Sequence, residues 1–355
     1  MQVIEDSESK VYGADDIKKD LSELINKYSR GKVFLLMDTG SHQHCYPKIK
    51  EIPEIDTNNI MIIEQGDHHK NIETIAKVWH FLSTNGADRK SLLINLAGGM
   101  PCDLGGFAAA TFKRGIDFIN IPTTLLSQVD ASVGGKTGIN FHSFKNEIGV
   151  FKHAVSVLVC NDFIKTQDQQ NIFSGFAEMI KHALIFSEDT WNQLKVFDIR
   201  NTNIDALKPL VINSIHIKEH FVKADPTEQN VRKSLNFGHT IGHAFESFAM
   251  QNNTPILHGF AVAYGMIVEL YLGHKNCGFP LSKLQEINRI LSAIYGHFTF
   301  SQKDFESLFY LMTHDKKNEK NKINFTLLED IGQIKINQTC TKEEIFEALE
   351  FYLNQ

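Results

Sequence analysis

Four polar side chains recur at helical intervals in RKSLNFGHTIGHAFESF: Arg232, Asn236, His239 and His243, at gaps of four, three and four. In one continuous helix over 232–250 they would share a face, apart from an apolar stripe of Ile241, Phe245 and Phe248. Two imidazoles at i, i+4 are a metal-chelating spacing. Two surface histidines in a chain with 16 His would give the same pattern. Two further segments tip the balance. SGFAEMIKHALI puts Glu178 and Lys181 on one helix face, an acid among apolar neighbours that needs a partner if buried. LHGFAVAYGM places His258 just ahead of a helix whose Gly259 and Gly265 permit close packing. A carboxylate and imidazoles from different helices suit zinc with open positions, as in catalytic sites.

Two glycine turns suggest an anionic ligand. SLLINLAGG followed by MPCDLGGFAAA reads as a buried strand, a turn at Gly98 and Gly99, and a helix opening near Asp103. Glycines let backbone approach a phosphate, and a helix N-terminus favours an anion. The G-x-G-x-x-G fingerprint is absent, and a tight α/β connection would look the same. Downstream, IPTTLLSQVDASVGGKTGIN offers Thr123, Thr124, Asp130, paired glycines and Lys136. Such a loop can form a nest of N–H groups beside a point charge, with hydroxyls for a ribose or pyrophosphate and with Arg114 and Lys145 as further cations.

The elements that must carry these residues follow from periodicity. Apolar runs at 32–38, 60–64, 91–96, 118–121 and 156–160 read as strands, with helices at 71–83 and 103–114 between them. That alternation implies right-handed crossovers and a doubly wound parallel sheet. Past the polar break at 166–171, helical patterns dominate at 172–186, 204–224, 232–250, 259–273, 281–295 and 342–353, with short strands at 324–327 and 333–336. Thr341 and Glu344 stand at capping-box spacing. The domain boundary is therefore expected near residue 168.

Composition narrows the class. With 355 residues, 42% hydrophobic and 22% charged, the chain is ordinary globular protein. A net charge of -6 gives no bulk attraction to nucleic acid or anionic membrane, so an anionic ligand must be held by local cations. The start, MQVIEDSESKVYG, lacks signal-peptide character, and the most apolar stretch, 261–272, is short and contains Glu269. Five scattered cysteines without a C-x-x-C pair suit reduced, mostly buried thiols in a cytoplasmic protein.

In order, GGMPCDLGGFAAATFKRG, IPTTLLSQVDASVGGKTGIN, GFAEMIKHALI, LNFGHTIGHAFE, HGFAVAYGM and DKK closely resemble the motifs of the 3-dehydroquinate synthases, a family of sugar-phosphate cyclases. The resemblance runs over about 59–332 and is specific in combination. It implies a Rossmann-like NAD-binding α/β domain at 1–168 and a mainly α-helical metal- and substrate-binding domain at 169–355. It also implies a homodimer with its active site in the interdomain cleft. The metal, zinc or cobalt, would be held by Glu178, His239 and His258, so His243 moves to the substrate side. Cofactor contacts would fall on Asp38, Lys70, Gly98, Gly99, Asp103, Thr123, Thr124, Lys136, Lys145, Phe163 and Thr166. The phosphorylated sugar-acid substrate would meet Asp130, Lys136, Asn146, Lys181, Lys218, Arg232, Asn236, His243 and Lys316 or Lys317. Arg114 would reach a neighbouring subunit's phosphate site.

Four positions depart from the family pattern: Ala97 for a third glycine, Phe144 for the glycine before Lys145, Pro226 for a glutamate, and Phe260 for the glutamate after His258-Gly259. The last is expected to strip His258 of a polar partner. Competing readings are another sugar-phosphate cyclase, a metal-dependent polyol or alcohol dehydrogenase of the same fold, and a cofactor-binding protein without catalysis.

Overall fold

Residues buried on both faces build the central sheet. The computed structural model describes residues 1–6, 8–142, 144–313 and 322–355. Strands β1 (Gln2–Asp6), β2 (Lys10–Gly13), β3 (Val33–Asp38), β4 (Ile60–Ile63), β5 (Leu92–Ala97) and β6 (Asp117–Pro122) are separated by helices α1 (Ile17–Tyr28), α2 (Thr39–His44), α3 (Ile72–Thr84) and α4 (Gly99–Thr111). A hairpin of β7 (Lys136–Phe141) and β8 (Phe144–Phe151) precedes β9 (Ser156–Val159). The seven-stranded order is β1-β2-β9-β6-β5-β3-β4, parallel throughout except for the β1–β2 pair. Every residue of β5 is buried, which is why its sequence is continuously apolar instead of alternating. The strand order reverses between β3 and β5, the switch point beyond whose carboxyl ends ligands bind in such sheets.

The remaining elements are α5 (Gln169–Phe186), α6 (Glu188–Leu194), α7 (Ile204–Ala224), α8 (His239–Gln251), α9 (His258–Cys277), α10 (Leu281–Tyr295), α11 (Phe305–Thr313), the hairpin β10 (Phe325–Asp330) with β11 (Gln333–Gln338), and α12 (Lys342–Leu353). Thr341 and Glu344 do close the capping box that starts α12. No helix is long and apolar enough to cross a membrane among the described residues. The chain forms two compact units, Met1–Asp168 with Ile204–Glu219, and Gln169–Asn203 with His220–Gln355. Most of α7 thus joins the first unit, tied there by His216 to Glu5 at 2.6 Å and Lys218 to Asp130 at 2.6 Å.

Two sequence expectations are corrected. Helix α4 opens at Gly99 and not near Asp103: extended Gly98 precedes it, and Pro101 sits in the first turn, where its missing N–H costs nothing. The single helix expected over 232–250 is two. A 3-10 segment, Val231–Asn236, ends before Phe237, and α8 starts afresh at His239 behind Gly238, whose φ of 79° is left-handed. Arg232 and Asn236 therefore do not share a helix face with His239 and His243.

Candidate active site

Helix α5 is buried along almost its whole length, and Glu178 and Lys181 stand one turn apart on it, 0% and 1% exposed. Two charges that deep must meet partners. The Lys181 ammonium abuts Glu178 Oε2. Glu178 Oε1 faces His239 Nε2 at 3.5 Å and His258 Nε2 at 3.4 Å and, unlike Oε2, is held by no ammonium among the described residues. Ligand atoms of these three residues all lie within 4.8 Å of one another. One carboxylate oxygen facing two imidazole nitrogens at 3.4 and 3.5 Å, each at the long limit of a hydrogen bond, fits a cation held between the three.

The electrostatics agree. Burial alone would raise the Glu178 carboxyl, but Lys181 and the two imidazoles hold it well below the usual carboxylate range. Burial, with the Lys181 charge, pushes His239 well down and keeps it neutral, as a ligand must be. Its Nδ1 lies 3.1 Å from the Phe237 carbonyl, which orients the ring and leaves Nε2 toward Glu178. At His258 burial works downward, but the carboxylates of Glu178 and Glu246 override it and push the pKa up to about 10. Two carboxylates around one imidazole are a demand for positive charge.

Glu246 also resolves the concern over Phe260. Its Oε2 lies 3.6 Å from His258 Nδ1, so the polar partner comes from α8 and not from the residue after Gly259. Phe260 instead packs edge-on against Tyr295 at 5.2 Å and Tyr264 at 6.4 Å. Sequence reasoning missed Glu246, although it follows His239 by two helical turns on the same face. His243, half-buried, sits with its ring 5.3 Å from His239 and 6.0 Å from His258, beside the trio and not among its ligand atoms.

In the same unit Arg232 is almost wholly buried, donating to the Pro226 carbonyl at 2.6 Å. The unusual Pro226 therefore contributes through its backbone. Asn236 donates to Glu228 at 2.8 Å. Asp225 anchors this turn by accepting the N–H groups of Gln229, Asn230 and Arg232. Burial would raise the Asp225 carboxyl, but those N–H groups and Arg232 hold it below its ordinary value. A depressed carboxylate stabilises the fold above its unfolded pKa, and that contribution fades as pH falls through the lowered folded value. Asp225→Asn should therefore cost about 2 kcal/mol at neutral pH in urea unfolding, with the gap to wild type closing in strong acid. A gap unchanged by acid would rule out the carboxylate charge as its cause.

In the first unit the residues marked for cofactor cluster at carboxyl ends of strands. Asp38 ends β3, Gly98 and Gly99 follow β5, and Thr123 and Thr124 follow β6. Lys70, buried, donates to Asp103 at 2.6 Å and also contacts Asn146 Oδ1, joining an expected substrate residue to two cofactor residues. Burial raises the Asp103 carboxyl despite that ammonium. Lys218 donates to Asp130 Oδ1 at 2.6 Å. Asp38 caps α2 through Ser41, and Thr124 and Ser127 hydroxyls bond at 2.8 Å. The glycine loop expected after the strand at 118–121 contains a π-helical turn, Ser127–Ala131, that leads through Gly134 and Gly135 into β7, where exposed Lys136 is the first residue.

Other expected contacts are more constrained. Lys145 pairs with Asp67 at 3.3 Å on the surface. Phe163 is wholly inside the core and Thr166 bonds its carbonyl at 2.7 Å, so the ring itself is not offered to a ligand. Arg114 stands exposed at φ 73° in a turn after α4. Lys316 and Lys317 lie outside the described residues. Burial raises all five thiols, so none is an activated nucleophile.

Comparison with known proteins places this geometry. Residues 60–174 match the profile described as 3-dehydroquinate synthase N-terminal, and residues 175–318 match its C-terminal counterpart. A 3-dehydroquinate synthase of Parabacteroides distasonis is 50% identical over 346 residues, 98% of each chain. Among solved structures, a 2-deoxy-scyllo-inosose synthase with carbaglucose-6-phosphate, NAD+ and Co2+ aligns with TM-score 0.87 at 20% identity over 99% of each chain. A 2-epi-5-epi-valiolone synthase of Streptomyces hygroscopicus, with NAD+ and Zn2+, aligns with TM-score 0.84 at 21% identity, over 100% of this chain and 99% of the other. The fold is thus that of the dehydroquinate synthase-like proteins, an α/β sheet followed by a helical unit. Within that class, the chain belongs to the 3-dehydroquinate synthase family.

Proposed function

We propose that this chain converts 3-deoxy-D-arabino-heptulosonate 7-phosphate to 3-dehydroquinate and phosphate, as a cytoplasmic homodimer using NAD and a divalent cation, zinc or cobalt. The steps are oxidation of a secondary alcohol, phosphate elimination, return of the hydride and intramolecular aldol closure, so no net redox change results. The carrying observation is the buried Glu178–His239–His258 trio with Lys181 beside it. When bound, the cation supplies Lewis acidity and NAD a reversible hydride acceptor.

The chain's own side chains do the rest. Ionised Glu178 and neutral His239 present lone pairs, while His258 is held between Glu178 and Glu246. Lys181 keeps a fixed positive charge where oxyanions develop, in a site dry enough for it to act strongly. The turns at Gly98-Gly99 and Thr123-Thr124, with Lys70 and Asp103, suit the dinucleotide at the sheet's switch point. Arg232, whose fork matches a carboxylate, serves the substrate's acid group with Asn236. Outward-facing Arg114 serves the phosphate of a neighbouring subunit.

The decisive experiment incubates metal-loaded protein with the heptulosonate phosphate and a catalytic amount of NAD. Phosphate release should exceed the NAD supplied without build-up of NADH. NADH accumulating in step with turnover would favour a dehydrogenase, and absence of phosphate release would refute the proposal.

A further inference from the structure

Helix α8 starts with His239, and its N-cap is Gly238, which has no side chain to cap with. The first amides of an α-helix lack partners within it, and residues 238–241 are all buried from water. Their acceptor comes from another helix. Glu269, on α9 and 0% exposed, accepts the N–H of Gly238 at 2.6 Å, of Thr240 at 3.0 Å and of Ile241 at 3.1 Å. Burying a carboxylate carries a heavy desolvation penalty, and a neutral side chain at the cap would satisfy an amide with less. The charge is tolerated because three charge-assisted bonds and the positive end of the helix converge on it.

The packing is built around this contact. Gly265, one turn earlier on α9, lets the helices touch: a Cβ there would lie 2.0 Å from the Gly238 carbonyl. The carboxylate thereby grips the backbone on both sides of His239, while the Phe237 carbonyl holds its ring. The other imidazole is tied in the same manner, since Ser174 on α5 accepts the Gly259 N–H at 3.0 Å, next to His258.

We infer that Glu269 is a positioning residue for His239, fixing the backbone from which the imidazole projects and so setting the affinity and geometry of the cation site. The inference rests on the metal-site reading proposed above. The test titrates full-length, metal-free protein with Co2+ alone, without substrate or NAD, following the visible d–d bands of wild type, Glu269→Gln and His239→Ala. Glu269→Gln should bind Co2+ about 10–100-fold more weakly with altered bands, at a pH and temperature where its circular dichroism is that of wild type. Unchanged affinity and bands, with only a lower Tm, would reduce Glu269 to a structural cap and overturn the inference. If Glu269→Gln does not fold, amide exchange of 238–241 in wild type decides: slowing on Co2+ loading supports the coupling, by reciprocity of linkage, and no change overturns it. Wild-type Co2+ binding by His239→Ala would overturn the metal-site reading itself and this inference with it.

Discussion

Glu178→Ala is expected to remove turnover and to destabilise the metal-free protein by about 3–5 kcal/mol. The two losses have different origins. Turnover falls because one of three ligand groups is gone, and Lewis-acid stabilisation is worth several kcal/mol, on the order of 10³-fold in rate. Stability falls because Lys181, 1% exposed, loses the carboxylate against its ammonium, and orphaning one member of a buried pair costs about 3–5 kcal/mol. A second substitution separates them. Glu178→Ala combined with Lys181→Met should recover most of the stability, since an apolar pair tolerates burial, while activity stays lost. Urea unfolding and phosphate-release assays read the two effects. An alanine variant as stable as wild type, or one keeping more than about a tenth of its rate, would contradict the account.

Gly259→Ala should be nearly as damaging although it removes no functional group. A Cβ at 259 would lie 1.9 Å from the Ser174 carbonyl oxygen and 2.5 Å from its carbon, atoms of α5 backbone that cannot swing aside. The start of α9 must move off α5, and with it His258 moves relative to Glu178, one turn beyond Ser174. Overpacking of this kind costs about 1–3 kcal/mol, and a displacement of about 1 Å costs on the order of 10²-fold in rate. Gly278→Ala is the matched control. That site has φ 84° but nothing within 4 Å, so it should lose about 1 kcal/mol through backbone preference alone and keep its activity. Equal activity losses in the two variants would mean that the close approach of α9 to α5 does not matter.

What could be read along the chain was what depends on near neighbours. The apolar runs at β3, β5, β6 and β9 were legible because a strand buried on both faces is continuously hydrophobic. Helices α7, α10 and α12 were legible to the residue from periodicity and, for α12, its capping box. The edge strand β1, its neighbour β2 and the β7–β8 hairpin were missed, since short or mixed polar strands carry a weaker signal than long buried ones.

By itself, then, the sequence determined the alternation of strands and helices, the glycines that permit close approach, and the acid and imidazoles able to chelate. The tertiary structure alone decided how they combine. A continuous polar stripe over 232–250 satisfies every local rule, yet the chain breaks at Gly238 because Glu269, about thirty residues on, caps the helix that starts at His239. Glu246 became the partner of His258, and Phe260 an aromatic packing residue, only once α8 and α9 met. Spacing encodes contacts within a turn or two; a buried carboxylate chooses its partners wherever the packed fold leaves amides or cations unpaired.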